Sequence, residues 1–267
     1  MKLRYLATVV GALLISSVAS APLLAQVDRT PSLGATVPSG WTTDRYAPCG
    51  FSLANGVNGR NDVLQISTCA ADGAVNRPAA YSSGFYNTQG RQIGIDPLNV
   101  ASPSSQKLSL DLFVENSWAT DAGGVVSNGL WSRVNQLNSD AESTAWYPIL
   151  NFTNASGVGA FRYWNSTLGY QALGATVNYG AWNTFEIDYN SNVFTAYVNG
   201  VLQATETANP GTTRLTTMYV EEYNNGGSGY TANWSNTPVV ATPEPASLVL
   251  LGTGLLGVVG VTRRCRA

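Results

Sequence analysis

The sequence predicts an all-β protein, an antiparallel two-sheet jelly-roll sandwich, and three observations carry that prediction. Lys107 to Val114 sets Leu108, Leu110, Leu112 and Val114 against Ser109, Asp111 and Phe113, the period of two of a half-buried strand. Trp182 to Tyr189 does the same, with Phe185, Ile187 and Tyr189 on one face and Glu186 and Asp188 on the other. It leads through Asn190-Ser191-Asn192 into Val193 to Val198, and through Asn199-Gly200 into Val201 to Glu206. Asn-Gly supplies the positive φ angles of a type I′ hairpin, so these three strands form an antiparallel meander. Away from the two ends, no segment of comparable length carries apolar residues at helical spacing.

The other strands are short and separated by Gly, Asn, Pro and Ser clusters. They are expected at Trp41 to Tyr46, Val63 to Thr68 and Tyr81 to Tyr86. After a Gly-rich connection, Asp121 to Gly129, come Leu130 to Gln136, Trp146 to Phe152, Gly159 to Trp164 and Tyr170 to Val177. Leu215 to Tyr223 and Tyr230 to Val240 close the domain. Residues 26–40, polar with Pro31 and Pro38, read as a leader, which puts the sandwich at 41–241. So many antiparallel strands in one domain argue for two packed sheets.

Both ends of the chain are addresses rather than fold. Lys2 and Arg4 precede an apolar run, Leu6 to Val18, and residues 1–25 read as a signal peptide. Ala19-Ser20-Ala21 has the small-residue pattern of a cleavage site, but Pro22 would follow that cut, so cleavage after Ser20 or Ala25 stays open. At the other end, residues 242–267 carry Pro243, Glu244 and Pro245, an uncharged run at 246–261, and then Arg263, Arg264 and Arg266. As a helix that run is about 24 Å long, slightly short of a hydrocarbon core of about 30 Å, and it spans if the arginines snorkel. The arginines orient it with the tail in the cytoplasm and everything before Thr242 outside.

This order of triplet, apolar span and arginines resembles the PEP-CTERM sorting signal of bacterial exported proteins. The resemblance implies an exosortase and the export machinery as partners. It also implies a transient inner-membrane stage through the C-terminal transmembrane helix, then delivery to the cell surface or beyond it, often beside exopolysaccharide. An ordinary C-terminal anchor is the alternative, and it exports the same domain.

Removing both end segments changes the charge. Five of the 14 Lys and Arg residues lie there but only one of the 16 Asp and Glu residues, which leaves nine against fifteen and a net charge near −6. That argues against nucleic acid and anionic membrane surfaces as partners. The abundance of Asn, Ser, Thr and Gly suits a domain that faces hydrated, neutral polymers. Cys265 falls in the cytoplasmic tail, so Cys49 and Cys69 remain in the exported domain. In an oxidising compartment one disulfide is the simplest state, against two separate buried thiols.

With no histidine, Ser-His-Asp and Cys-His nucleophiles and His-based zinc sites are excluded, and no phosphate-cradling glycine loop is present. The stretch WNTFEIDYNSNVFTAYVNGVLQ is similar to the central meander of laminin-G-like and concanavalin A-like domains, which supports the fold rather than an activity. Glu186-Ile187-Asp188-Tyr189-Asn190 partly resembles the Glu-x-Asp-x-Glu strand of glycoside hydrolase family 16. The resemblance would make Glu186 a nucleophile, but it places Asn190 where that family has its acid/base glutamate, and an amide cannot protonate a leaving oxygen. The expectation is therefore a non-enzymatic protein with no catalytic residue, the rival being a divergent or degenerate glycosidase.

Aromatic side chains offer the other chemistry, since sugar rings stack their apolar faces on Trp and Tyr. The pool is Trp131, Trp146, Tyr147, Trp164, Tyr170, Tyr179, Tyr223, Tyr230 and Trp234, with more than half expected inside the core. Arg162 and Trp164 share one strand face, Phe161 and Tyr163 the other. A solvent-facing set of Trp164, Arg162, Trp131 and Trp146 is the expected carbohydrate site, with a neutral exopolysaccharide as ligand. Structural calcium is compatible with the Asp and Asn residues of Asn58 to Asp62 and Asn138 to Glu142, but neither has EF-hand spacing, so no metal site and no cofactor are assigned.

Overall fold

A computed structural model describes residues 26–96, 105–135, 147–208, 212–224 and 226–238. The expected signal peptide at 1–25, the expected C-terminal span with its Pro-Glu-Pro and arginine flanks, Cys265, Trp146 and the loop at 138–142 lie outside the described residues.

In chain order the strands are β1 (Val27–Asp28), β2 (Thr42–Arg45), β3 (Gly50–Ala54), β4 (Val63–Ser67), β5 (Thr88–Gly94), β6 (Ser105–Val114), β7 (Ser127–Val134) and β8 (Ile149–Thr153). They continue as β9 (Ala160–Asn165), β10 (Gly169–Ala172), β11 (Ala181–Asn190), β12 (Val193–Val198), β13 (Val201–Thr207), β14 (Leu215–Tyr223) and β15 (Thr231–Ser235), with a short helix, α1 (Leu33–Thr36), after β1. Two sheets result. The first has the order β13-β12-β11-β6-β15-β4-β3, with β1 added in parallel along β6, and the second the order β10-β9-β8-β7-β14-β5-β2. Every other pairing is antiparallel. This is a jelly-roll sandwich.

Alternation decides what lies between the sheets. Leu108, Leu110, Leu112 and Val114 of β6, Phe185 and Ile187 of β11, and Phe194, Ala196 and Val198 of β12 are buried against Leu130, Val134, Leu150, Phe152, Phe161, Met218 and Val220 of the second sheet. Each large apolar side chain so buried contributes about 1.5–3 kcal/mol. The meander forms as its sequence requires. Ser191 and Asn192 both have positive φ, as do Asn199 and Gly200, which gives two tight turns whose twist matches the strands they join. The Asn199 side chain also accepts from the Thr184 N–H at 2.9 Å. A disulfide joins Cys49 and Cys69, their Cα atoms 6.0 Å apart. A loop of that size adds about 3 kcal/mol in the chain-entropy model.

Two expectations need correction. The segment at 26–40 is no leader. Val27 and Asp28 pair with Gln106 and Lys107, and Leu33 is fully buried in the core, so the domain begins before residue 41. Tyr81 to Tyr86 is not a strand but part of two 3-10 turns, with Tyr81, Phe85 and Tyr86 packed edge to face at the surface. The strand is the following stretch, β5, and β3 is a further unanticipated one. β5 lacks the expected alternation because the residues it turns inward include Gln89 and Arg91, opposite Glu222 and Val220.

Candidate functional site

Strand register across the second sheet lines up its outer-face residues in rows. One row runs Gln92, Tyr219, Trp131, Ile149, Trp164, Tyr170 from β5 to β10. The next runs Asp44, Gly90, Glu221, Gly129, Asn151, Arg162 from β2 to β9. The first row is an aromatic strip. The second is polar and is made shallow by its two glycines.

Those glycines set how the larger side chains lie. A Cβ on Gly129 would collide with the Trp131 indole nitrogen, and one on Gly90 with the Glu221 carboxylate and the Val220 carbonyl oxygen. Trp131 and Glu221 therefore lie flat along the sheet instead of standing up from it. Above them opens a recess of about 630 Å³, lined by Trp131, Tyr147, Trp164, Tyr170 and Tyr223 together with Arg45, Arg162 and small polar residues. Trp164 meets the Tyr170 ring edge-on at 5.0 Å, and the Arg162 guanidinium lies 4.4 Å from the centre of the same ring. Arg162 donates through Nη2 to Asn151 Oδ1 at 2.9 Å, and Asn151 is held in turn by donating to Asn128 O and Ser127 Oγ. Arg45, at positive φ, curls over Phe85 and Trp131 with its guanidinium 4.5 and 4.9 Å from their ring centres.

Two consecutive glutamates on β14 face opposite ways. Glu222 points inward, where Trp234 Nε1 donates to it at 3.0 Å and the Tyr230 hydroxyl at 3.3 Å. Glu221 points outward but lies under the groove, 1% exposed. Burial first, and then the neighbouring Asp44 carboxylate, push its carboxyl group well above the usual range, against an opposing pull from Arg45. Burial raises Glu222 in the same way. In both, burial favours the protonated, uncharged form.

The carboxylates of the partial glycosidase resemblance are elsewhere. Glu186 and Asp188 lie on the outer face of the first sheet, across the sandwich from the aromatic groove. Lys107 Nζ sits 3.6 Å from Glu186 and 3.7 Å from Asp28. Burial, then Asp188, raises the Glu186 pKa, while Lys107 lowers it.

Of the residues expected at the carbohydrate site, Trp131, Arg162 and Trp164 line one recess, with Phe161 and Tyr163 turned inward as the alternation requires. The expected burial of most of the aromatic pool does not hold among the described residues. Trp131, 8% exposed, floors the groove and counts as buried with Trp234, whereas Tyr147, Trp164, Tyr170 and Tyr223 line it half-buried or exposed, and Tyr179 and Tyr230 pack half-buried against the core. The sheet face that gathers them is assembled from strands far apart in sequence. The same distance hid Arg45, Asn151, Gly90, Gly129 and Glu221; a Gly-x-aromatic step such as Gly129-Leu130-Trp131 was the one local signal for the flat indole. The Asn58 to Asp62 segment is a turn, with Asn58 and Asp62 at positive φ. Among the described residues, the grouping of possible metal ligands is Cys49, Cys69 and Asp72, and the disulfide uses both sulfurs.

The fold is thus an antiparallel jelly-roll sandwich with an aromatic recess on one outer face. It is similar to several solved structures. An endo-β-1,4-glucuronan lyase from Trichoderma reesei aligns over 74% of this chain and 90% of its own, at 14% identity and a TM-score of 0.46. A family 16 endo-glucanase from Bacteroides ovatus aligns over 76% and 97%, at 11% identity and 0.43. A sialidase aligns over 73% of this chain but only 16% of its own, at 12% identity and 0.43. These are likenesses of fold alone. No curated protein matches the sequence. The C-terminal segment is the informative part: residues 241–264 match the PEP-CTERM protein-sorting motif, which implies exosortase-dependent export through the membrane to the cell surface.

Proposed function

We propose that this chain is a non-enzymatic surface protein which, once sorted through its C-terminal motif, associates with polysaccharide through the outer face of its second sheet. The observation that carries the reading is the cross-strand row of Trp131, Trp164 and Tyr170 lining an open recess. Such rings present flat apolar surfaces to the faces of sugar rings, while the amide of Asn151 and the hydroxyls of Ser127 and Thr153 supply hydrogen bonds beside them. A recess of this size fits a few sugar units of a longer chain and leaves both ends of the ligand free.

Binding without cleavage is supported by the distribution of carboxylates. Glycoside hydrolysis by the usual route needs two carboxyl groups on either side of the scissile bond. Among the described residues, no carboxylate lines the groove, and Glu221 is closed off beneath it. Affinity electrophoresis of the full chain in detergent, through gels cast with a panel of exopolysaccharides, tests both halves. At least one polymer should retard the protein while its chain length stays unchanged. Unretarded migration in every gel would end the binding reading, and shortened polymer would end the non-enzymatic one.

A further inference from the structure

We propose that the groove selects an acidic polysaccharide, one whose sugar rings carry carboxylate groups, rather than the neutral chain expected from the composition of the whole domain. This rests on the reading of the groove as a polysaccharide site and adds the charge of the ligand.

The argument is one of missing counter-ions. Among the described residues, two arginines and no carboxylate line the recess, in an exported domain whose net charge is near −6. Arg45 is met by Asp44 at 3.5 Å. Arg162 forms no ion pair among the described residues; its recorded polar partner is the neutral Asn151 amide, and its Nε is buried without a hydrogen bond. Partial burial lowers the pKa of the guanidinium, with the Tyr170 hydroxyl the opposing influence. A half-buried cation that lacks a carboxylate is an unfavourable arrangement unless a ligand completes it. Of the two acids in the same cross-strand row, Asp44 is met by Arg45, and Glu221, buried and with its pKa raised, is separated from Arg162 by Gly129 and Asn151.

The position of the charge narrows its chemistry. The Arg162 guanidinium lies 4.4 Å from the Tyr170 ring, and that ring 5.0 Å from Trp164. Cation and stacking platform are therefore within one sugar unit of each other. An anionic group that reaches Arg162 while its ring rests on the aromatics has to be attached directly to that ring. A ring carboxylate does this, and its two oxygens match the guanidinium fork.

Calorimetric titration of the full chain in detergent with polygalacturonate, with the same polymer after carboxyl reduction, and with a sulfated galactan tests the assignment. Polygalacturonate should bind roughly 10- to 100-fold more tightly than its reduced form, the range expected for a charge-assisted hydrogen-bonded pair. Arg162→Gln should remove most of that preference, weakening the native polymer far more than the reduced one. Arg162→Lys should recover part of it. If Arg162→Gln melts early, the wild-type comparison of native and reduced polymer decides alone. Equal binding of those two polymers overturns the acidic assignment and leaves the polysaccharide reading standing. Preference for the sulfated galactan overturns the carboxylate assignment, and failure of all three to bind sinks both readings.

Discussion

On the outer face of the first sheet, Lys107 lies between Asp28 and Glu186, with Asp188 close by, so its charges are met locally, and aromatic contact across the strands is the Phe113–Trp182 pair with Arg60 over Trp182. On the outer face of the second sheet, aromatic rings run from β14 to β10, two glycines hold Trp131 and Glu221 flat, and Arg162 has no carboxylate partner among the described residues. Both faces are the outward half of an alternating strand pattern. The difference shows that alternation assigns a residue to a face, while register between distant strands determines whether that face collects a site. The first face is stable by itself. The second leaves stacking surface and a hydrogen-bonding cation unused.

Replacing Trp131 and Trp164 together by alanine is the strongest way to break the contrast. Loss of two central aromatic contacts should cost about 2–4 kcal/mol of polysaccharide binding, read by calorimetry, with the fold intact by circular dichroism. Retained affinity would move the ligand away from this face.

Next in size is the effect of filling a glycine. Gly90→Val should lower stability by about 1–3 kcal/mol, because the new side chain meets both the Glu221 carboxylate and the Val220 carbonyl oxygen. Gly94, on the same face of the same strand, has open space around it, so Gly94→Val should stay within about 0.5 kcal/mol. Urea midpoints of the two variants measure the difference; equal midpoints would mean that Glu221 is not held flat over Gly90.

The buried glutamates add a pH signature. A carboxyl group whose pKa is raised in the folded state binds its proton more tightly there than in the unfolded chain. Its contribution is therefore complete below the unfolded value, about 4.3, and declines as pH rises until the folded pKa is passed. Each unit of separation amounts to about 1.4 kcal/mol. The charged groups that act on Glu221 are Asp44 and Arg45 beside it and Glu222 on the opposite face of the strand. Glu221→Gln should flatten part of the fall in melting temperature above pH 5, the remainder belonging to Glu222. An unchanged melting profile would show that Glu221 is ionised in the native protein.

The smallest effect is expected on the first face. Glu186→Gln should change stability by no more than about 0.5 kcal/mol and leave polysaccharide affinity as it was. Weaker binding in this variant would erase the distinction between the two faces.

What could be read in advance follows from the range of the interactions involved. Alternation over five or six residues was enough to put Arg162 and Trp164 on one face, and Asn199-Gly200 to fix the β12–β13 hairpin. The PEP-CTERM segment was legible because its three components are consecutive. The polar row needs β2, β5, β14, β7, β8 and β9 to be in register, and no local pattern states that Asp44 lies two strands from Glu221. β5 was hidden because it carries polar residues on its inner face, and β1 because a parallel pairing of two residues leaves no periodicity to detect.

Oxidative footprinting of the tryptophans during polysaccharide binding tests the central assignment most directly. Trp164 lies on the second outer face and Trp182 on the first, beside Arg60, and both are partly exposed. Bound polymer should protect Trp164 and leave Trp182 as reactive as before. Protection of Trp182 with Trp164 unaffected would place the ligand on the opposite sheet and contradict the account.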